Sequence, residues 1–330
     1  ERAFAGRYES NKQDGMYLCA GCGAPLFASD TKYNSGSGWP SYTAPVADDA
    51  VDGLMRFAQN FALPCLLFRS IALLDLSAAY DPGLLFSFYL GAFAAFTAGF
   101  VGAIRLFRRP LPDAIAIGFA CCFSNSLLLG VPITERAYGT AALAGNYAII
   151  SIHAPLLYSL GIGLMEWARG RGNGLALPVL AGKIARAVLL QPLVIGILAG
   201  FAVNLAGNPL PVPVWDAVDM MVRAALPAAL FGLGGVLLRY RPEGDRATIA
   251  MVCAASLVVH PAVTWGLGRL FGLDDAAMRS AVMTGAMAPG VNAYLFAHMY
   301  GVAKRVNASA VLFATAASIG TTWFWLHVLP

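Results

Sequence analysis

Nine apolar runs, each long enough to cross a bilayer, limit what this chain can fold into. They occupy 54–74, 84–104, 113–134, 141–165, 184–205, 212–238, 247–271, 276–300 and 306–328. A membrane-spanning helix needs about 20 residues at a rise of about 1.5 Å each, and all nine runs meet that length. The sixth is the least clean, carrying Asp216, Asp219 and Arg223. Charged residues make up 12% of the chain, about half the usual share. The expected fold is an all-α polytopic membrane protein. A net charge of +4, spread thinly, excludes nucleic acid as a partner.

Basic residues recur in every second loop. Arg105, Arg108 and Arg109 follow the second run; Arg169, Arg171, Lys183 and Arg186 border the fourth; Arg239, Arg241 and Arg246 follow the sixth; Lys304 and Arg305 follow the eighth. The intervening loops are acidic, mixed or uncharged. By the positive-inside rule the basic loops are cytoplasmic. That places the segment before Leu54 on the cytoplasmic side of the plasma (inner) membrane and Pro330 outside.

Within the third run, residues 119–139 carry Ser124, Asn125, Ser126, Gly130 and Pro132. Proline lacks a backbone N–H and clashes with the preceding turn, so a break is expected near Pro132. Broken backbone in hydrocarbon is tolerated only where protein or a wet cavity covers it. A second such stretch, Ala288-Pro289-Gly290-Val291-Asn292, lies about one half-chain downstream. The candidate substrate-binding residues are therefore Ser124, Asn125, Ser126, Pro132, Pro289 and Asn292. Half-helix N-termini offer oriented N–H groups and partial positive charge to an anion, and the asparagines and serines add donors. The competing reading is of ordinary kinks with asparagines bonding neighbouring helices.

His153 and His260 are each either a carrier of a coupling proton or an interhelical contact. Arg223 is expected to pair with Asp219, one turn back. Cys121-Cys122 lacks metal spacing and reads as packing.

The chain also matches itself. Ala62-Leu63-Pro64-Cys65-Leu66-Leu67-Phe68 aligns with Ala225-Leu226-Pro227-Ala228-Ala229-Leu230-Phe231 at an offset of 163, and Tyr138-Gly139 with Tyr300-Gly301 at 162. The second half holds five runs and the first only four. Moving 184–205 back by 163 lands on 21–42, in the polar N-terminal piece, so a first helix is expected to be missing. Repeats of five spans must insert in opposite orientations, an arrangement common in secondary transporters.

Three stretches carry a resemblance to a known family: Phe57-Ala58-Gln59-Asn60-Phe61-Ala62-Leu63-Pro64, then Ser124-Asn125-Ser126 through Gly130-Val131-Pro132-Ile133-Thr134-Glu135-Arg136, then Ala288–Asn292. Residues 50–330 resemble the auxin efflux carrier family, whose bacterial members include malonate and malate permeases. The resemblance implies ten helices in two inverted five-helix repeats, nine of them present here, with crossing broken helices around the substrate. It implies a secondary transporter of a small organic anion. The expected partners are that anion, coupled to protons or sodium, the lipid bilayer, and a second copy of the chain.

Residues 1–49 differ in kind, being rich in Gly, Ser, Asp, Asn and Lys, and read as loops and short strands. Cys19-Ala20-Gly21-Cys22-Gly23 is half of a zinc knuckle, whereas a closed zinc site wants four ligands. With Glu1-Arg2-Ala3-Phe4-Ala5-Gly6-Arg7-Tyr8 and Gly36-Ser37-Gly38-Trp39-Pro40-Ser41-Tyr42, this piece resembles B-type peptide methionine (R)-sulfoxide reductase. The resemblance makes Cys19 and Cys22 two of four zinc ligands and puts Trp39 in the pocket for the sulfoxide methyl. The family's other zinc pair, pocket histidines and nucleophilic cysteine do not follow Val46, so no catalytic residue is expected. The chain starts at Glu1 in what reads as mid-domain, and a fragment or a processed product is expected; a join of two truncated neighbours is the competing reading.

Overall fold

A computed structural model describes residues 11–18, 25–33, 41–42, 48–170, 177–240 and 243–330. The N-terminal piece is β and loop. β1 (Met16–Leu18) pairs antiparallel with β2 (Pro25–Ala28), and β3 (Lys32–Tyr33) with β4 (Ser41–Tyr42). β2 and β3 thus occupy the register where a repeat-related first helix would lie. Phe27 packs edge-on against Phe231, ring centroids 5.4 Å apart, which seats this piece on the sixth span.

All nine apolar runs are helical. The first is α1 (Asp48–Phe57), a π turn (Ala58–Ala62) and α2 (Leu63–Ala72); after the short α3 (Leu76–Ala79) comes α4 (Pro82–Arg105). The third is α5 (Leu111–Cys122), a break, a π turn (Ser126–Gly130) and α6 (Val131–Tyr138), and the fourth is α7 (Ala144–Arg169). The fifth is α8 (Leu177–Leu189) and α9 (Pro192–Leu205), bent by 80° at Gln191-Pro192. Then come α10 (Val212–Arg239), and α11 (Arg246–Ala254) joined through a π turn (Ala255–Val259) to α12 (His260–Phe271). The eighth is α13 (Asp275–Gly285), a break and α14 (Val291–Tyr300), and the ninth is α15 (Lys304–Val328). Among the described residues five unbroken helices are long and apolar enough to cross a membrane, six with the bent pair counted as one.

Local chemistry sets these boundaries. Asp81, Asp245 and Asp274 precede spans and accept hydrogen bonds from the amides of Leu84, Ala247 and Ala277, as N-caps do. Three prolines share one device: Pro64, Pro132 and Pro261 each stand two residues beyond a π turn. A proline ring collides with the carbonyl four residues back, and in each case that carbonyl lies in the middle of the wider turn. The π turn lets the span continue. The expected break at Pro132 is therefore corrected: the helix is continuous there, and it breaks upstream at Phe123–Asn125.

The spans form two groups. α2 packs against α9 and α10. Gly196 and Gly200, one turn apart on α9, bring its backbone against the carbonyls of Pro64 and Phe68, a small-xxx-small contact. In the larger group α4 packs on α5 and α12, and α15 on α11 and α14. Cys121 fills the notch left by Gly99 and is buried as a free thiol. Phe119 stacks on Phe296 at 4.2 Å, so the core of this group joins both broken helices.

The ion pairs gather the basic loops at one end. Arg109–Asp245 (3.5 Å) and Arg305–Glu243 (3.3 Å) tie the loops after the second and eighth runs to the one after the sixth, Arg239–Asp52 (2.7 Å) ties that loop to α1, and Lys183–Glu166 (3.4 Å) closes the connection after the fourth. At the opposite end Asp219 pairs with Arg69, 150 residues away, and not with Arg223 as expected. Arg223 makes no ion pair among the described residues. Arg69 comes from the helix packed alongside, and tertiary contact wins over sequence proximity.

Candidate functional site

The two breaks meet. Ser124 and Pro289 form an isolated antiparallel bridge, in which the Asn125 amide donates to the Ala288 carbonyl at 2.8 Å and the Gly290 amide to the Phe123 carbonyl at 2.9 Å. Backbone freed by each broken helix is thus satisfied by the other, as hydrocarbon requires. Downstream of the bridge both chains turn helical again. The Leu129 and Gly130 amides share the Asn125 carbonyl at 3.1 Å, and the Ala293 amide reaches that of Gly290 at 2.9 Å. The amides of Ser126, Leu127 and Leu128, and those of Val291 and Asn292, precede these first bonds and have no carbonyl of their own helix to reach.

All five residues line one cavity of about 260 Å³. Ser124 and Asn125 line it too, with Gln59 and Asn60 from the first span and Gln191 from the bend of the fifth. His153 and Tyr158 on α7 complete its polar wall. Ser124, Asn125 and Ser126 are buried and Asn292 half-buried. The Ser124 and Ser126 hydroxyls lie 3.3 Å apart, and Ser126 Oγ donates to the Ser124 carbonyl at 3.1 Å. Neither asparagine side chain has a hydrogen-bond partner among the described residues. Two half-helix N-termini, with about half a positive charge each, and two unused amides converge on one space. That arrangement can offer a carboxylate oriented donors and partial positive charge from the backbone and amides alone.

Of the six residues expected from sequence, Ser124, Asn125, Ser126 and Asn292 line this cavity, and Pro289 forms the bridge behind it. Pro132 does neither. It stands in the first turn of α6, seven residues past Asn125, and is not the counterpart of Pro289. Cys19, Cys22 and Trp39 lie outside the described residues. Among the described residues no group of three or more His, Cys, Asp or Glu converges as metal ligands.

Sequence reasoning missed a pair of asparagines that hold the crossing. Asn146 Nδ2 on α7 donates to Thr134 Oγ1 on α6 at 3.2 Å and to Thr284 Oγ1 on α13 at 2.9 Å. Asn307 Nδ2 on α15 donates to the carbonyls of Ala116 on α5 at 3.0 Å and Ala293 on α14 at 3.3 Å. Each fully buried asparagine ties one half of one broken helix to one half of the other, and the two sets interchange under the repeat. The signal was present: both follow a Tyr-Gly that ends a half-helix, Gly139 and Gly301, each with positive φ. Gly139 and Gly301 close the half-helices where a side chain would strain the backbone.

A second cavity of about 430 Å³ lies toward the opposite end, lined by Arg69, Arg223, Glu135 and Tyr147. Between the two sits an apolar cluster of Leu67, Val131, Leu143, Ile150 and Ile197.

A family model described as "Membrane transport protein" matches residues 41–326, and one described as "SelR domain" matches 1–59. The two overlap at 41–59. The chain is 25% identical over 283 residues to the "Putative malonate transporter" of Rhizobium meliloti (strain 1021), covering 85% of this chain and 88% of that one. Its N-terminal piece is 60% identical over 52 residues to the peptide methionine sulfoxide reductase MsrB of Leptospira interrogans, which is 16% of this chain and 40% of that enzyme. It is 55% identical over 60 residues to the MsrB of Pseudomonas paraeruginosa, 18% and 46% of the respective lengths. The chain spans less than half the length of those reductases.

Proposed function

Because this chain belongs to the membrane transport protein family, we propose that it is a secondary transporter of a small organic anion, of the malonate or malate class, across the cytoplasmic membrane. One observation carries the reading: the bridged breaks aim two half-helix N-termini and two unpartnered asparagines into one cavity. The similarity to a malonate transporter agrees with that chemistry. The two cavities, separated by the Leu67–Ile197 cluster, fit alternating access, in which movement of the α2–α9–α10 group against the larger one shifts the cluster. The end bearing the arginine loops is assigned to the cytoplasm.

The test is counterflow. Full-length protein in liposomes preloaded with unlabelled malonate is expected to accumulate labelled malonate from outside. Malate should compete, and malonamide, which has the shape without the charge, should not. Absence of counterflow with malonate, malate and acetate alike would overturn the reading.

The SelR match supports a second activity only on paper. Sulfoxide reduction needs a thiolate that attacks sulfur. Cys19 and Cys22, the two cysteines outside the spans, take zinc-ligand positions in the reductase resemblance. No turnover of methionine (R)-sulfoxide is therefore expected with dithiothreitol as reductant, with or without added zinc. Zinc-dependent turnover above that of a Cys19→Ser, Cys22→Ser double variant would reverse that assignment.

A further inference from the structure

We propose that His153 is the coupling-proton site of the crossing, protonated when a carboxylate occupies the cavity and neutral when it is empty. The inference rests on the anion-transport reading above and adds what drives it.

His153 is 3% exposed, lines the cavity beside Ser124 and Asn125, and has no hydrogen-bond partner on either ring nitrogen. Buried polar atoms in folded proteins are nearly always paired, and an exception calls for a role. The Ser124 backbone approaches the ring without meeting hydrogen-bond geometry. Its other neighbours are aromatic: Phe123 edge-on at 4.7 Å, Phe88 at 5.6 Å and Tyr89 at 6.4 Å.

The titratable groups around it are few. Tyr89 from α4 spends its hydroxyl on the Ile149 carbonyl at 2.8 Å, Tyr158 lies on the same helix, and His260 from α12 stands behind Phe88. Among the described residues no carboxylate faces the ring. A lone imidazolium here would carry the full desolvation penalty of a buried charge with no partner, so the empty site keeps His153 neutral. A carboxylate held at the half-helix N-termini supplies the missing counter-charge. Proton and anion then raise each other's affinity by the same factor, as linkage requires. The proton comes from water on the side to which the cavity opens and leaves on the other with the substrate, giving symport. His260 is equally buried and equally unpartnered, but it does not line the cavity.

Titration calorimetry of malonate into the full-length protein, in buffers of different ionisation heat above pH 7, counts the protons taken up. Both malonate carboxyls are already ionised there. The wild type is expected to take up about one proton per malonate, and its affinity to rise by up to about tenfold per unit fall in pH. His260→Gln should behave the same. His153→Gln should bind malonate with no proton uptake and a flat pH profile.

Binding without proton uptake in the wild type, or unchanged uptake in His153→Gln, would overturn the proposal and leave the transport reading standing. No binding of malonate, malate or acetate at any pH would sink that reading itself. Should His153→Gln fail to fold, the other three of the four histidines can be replaced by glutamine. The ¹⁵N signals of His153 should then move to the doubly protonated imidazolium position on adding malonate; a neutral ring throughout would count against the proposal.

Discussion

Asn292→Asp is expected to abolish malonate uptake while leaving the protein folded. Position 292 is in the first turn of α14, where a carboxylate suits the helix dipole and stabilises by about 0.3–1 kcal/mol. The same carboxylate stands where the proposed site would hold the substrate's. Two like charges about 4 Å apart at an effective dielectric of about 20 repel by about 4 kcal/mol, a loss on the order of a thousandfold in affinity. Asn292→Ala removes only a donor, and a hydrogen bond to a charged group contributes about 1.5–3 kcal/mol, so a loss of about ten- to a hundredfold is expected. Binding isotherms for both variants, alongside melting curves in detergent, check the pair. If Asn292→Asp binds malonate as the wild type does, the half-helix site is wrong.

Gly196→Val should destabilise the fold that Asn292→Asp leaves intact. A Cβ at Gly196 would lie 2.5 Å from the Pro64 carbonyl oxygen and 3.0 Å from its carbonyl carbon and Cα. These are backbone atoms, so no side chain can swing away. α9 must then lift off α2, which also loosens the contact one turn on, where a Cβ at Gly200 would meet the Phe68 oxygen at 2.7 Å. Overpacking of this kind costs about 3 kcal/mol, a fall of about 4 °C in melting temperature at an unfolding entropy of about 0.7 kcal/mol/K for a chain this long. Gly234→Ala is the control. Nothing lies within 4 Å of its added methyl, and alanine in the middle of α10 should be neutral or stabilise by up to about 1 kcal/mol. Equal melting curves for Gly196→Val and Gly234→Ala would mean that α9 and α2 do not touch as described.

The spans and the gathering of basic loops at one end were legible because length, apolarity and charge act locally along the chain. The broken helices were legible too, since polar residues and prolines in an apolar run stand out. Where the third span breaks was not. Pro132 looked like the cause, but a π turn absorbs it, and the break comes where Ser124 finds a partner strand at Pro289. That choice depends on a residue far away in sequence. Asp219 teaches the same lesson, since its arginine is on another helix. Asn146 and Asn307 went unnoticed because each sits in an otherwise ordinary apolar span. His153 was visible as a histidine, but only the fold reveals that neither nitrogen is paired.

The two buried asparagines also bear on how such a molecule could be assembled. Each draws one of its two hydrogen bonds from its own half of the chain and one from the other: Thr134 and Thr284 for Asn146, Ala293 and Ala116 for Asn307. A gene product with a single repeat would leave half of those bonds unmade until a second copy, inserted upside down, supplied them. The halves are interlocked subunits in one polypeptide. Severing the chain between the fourth and fifth spans and expressing the pieces together should therefore yield a working pair, whereas either piece alone should be degraded.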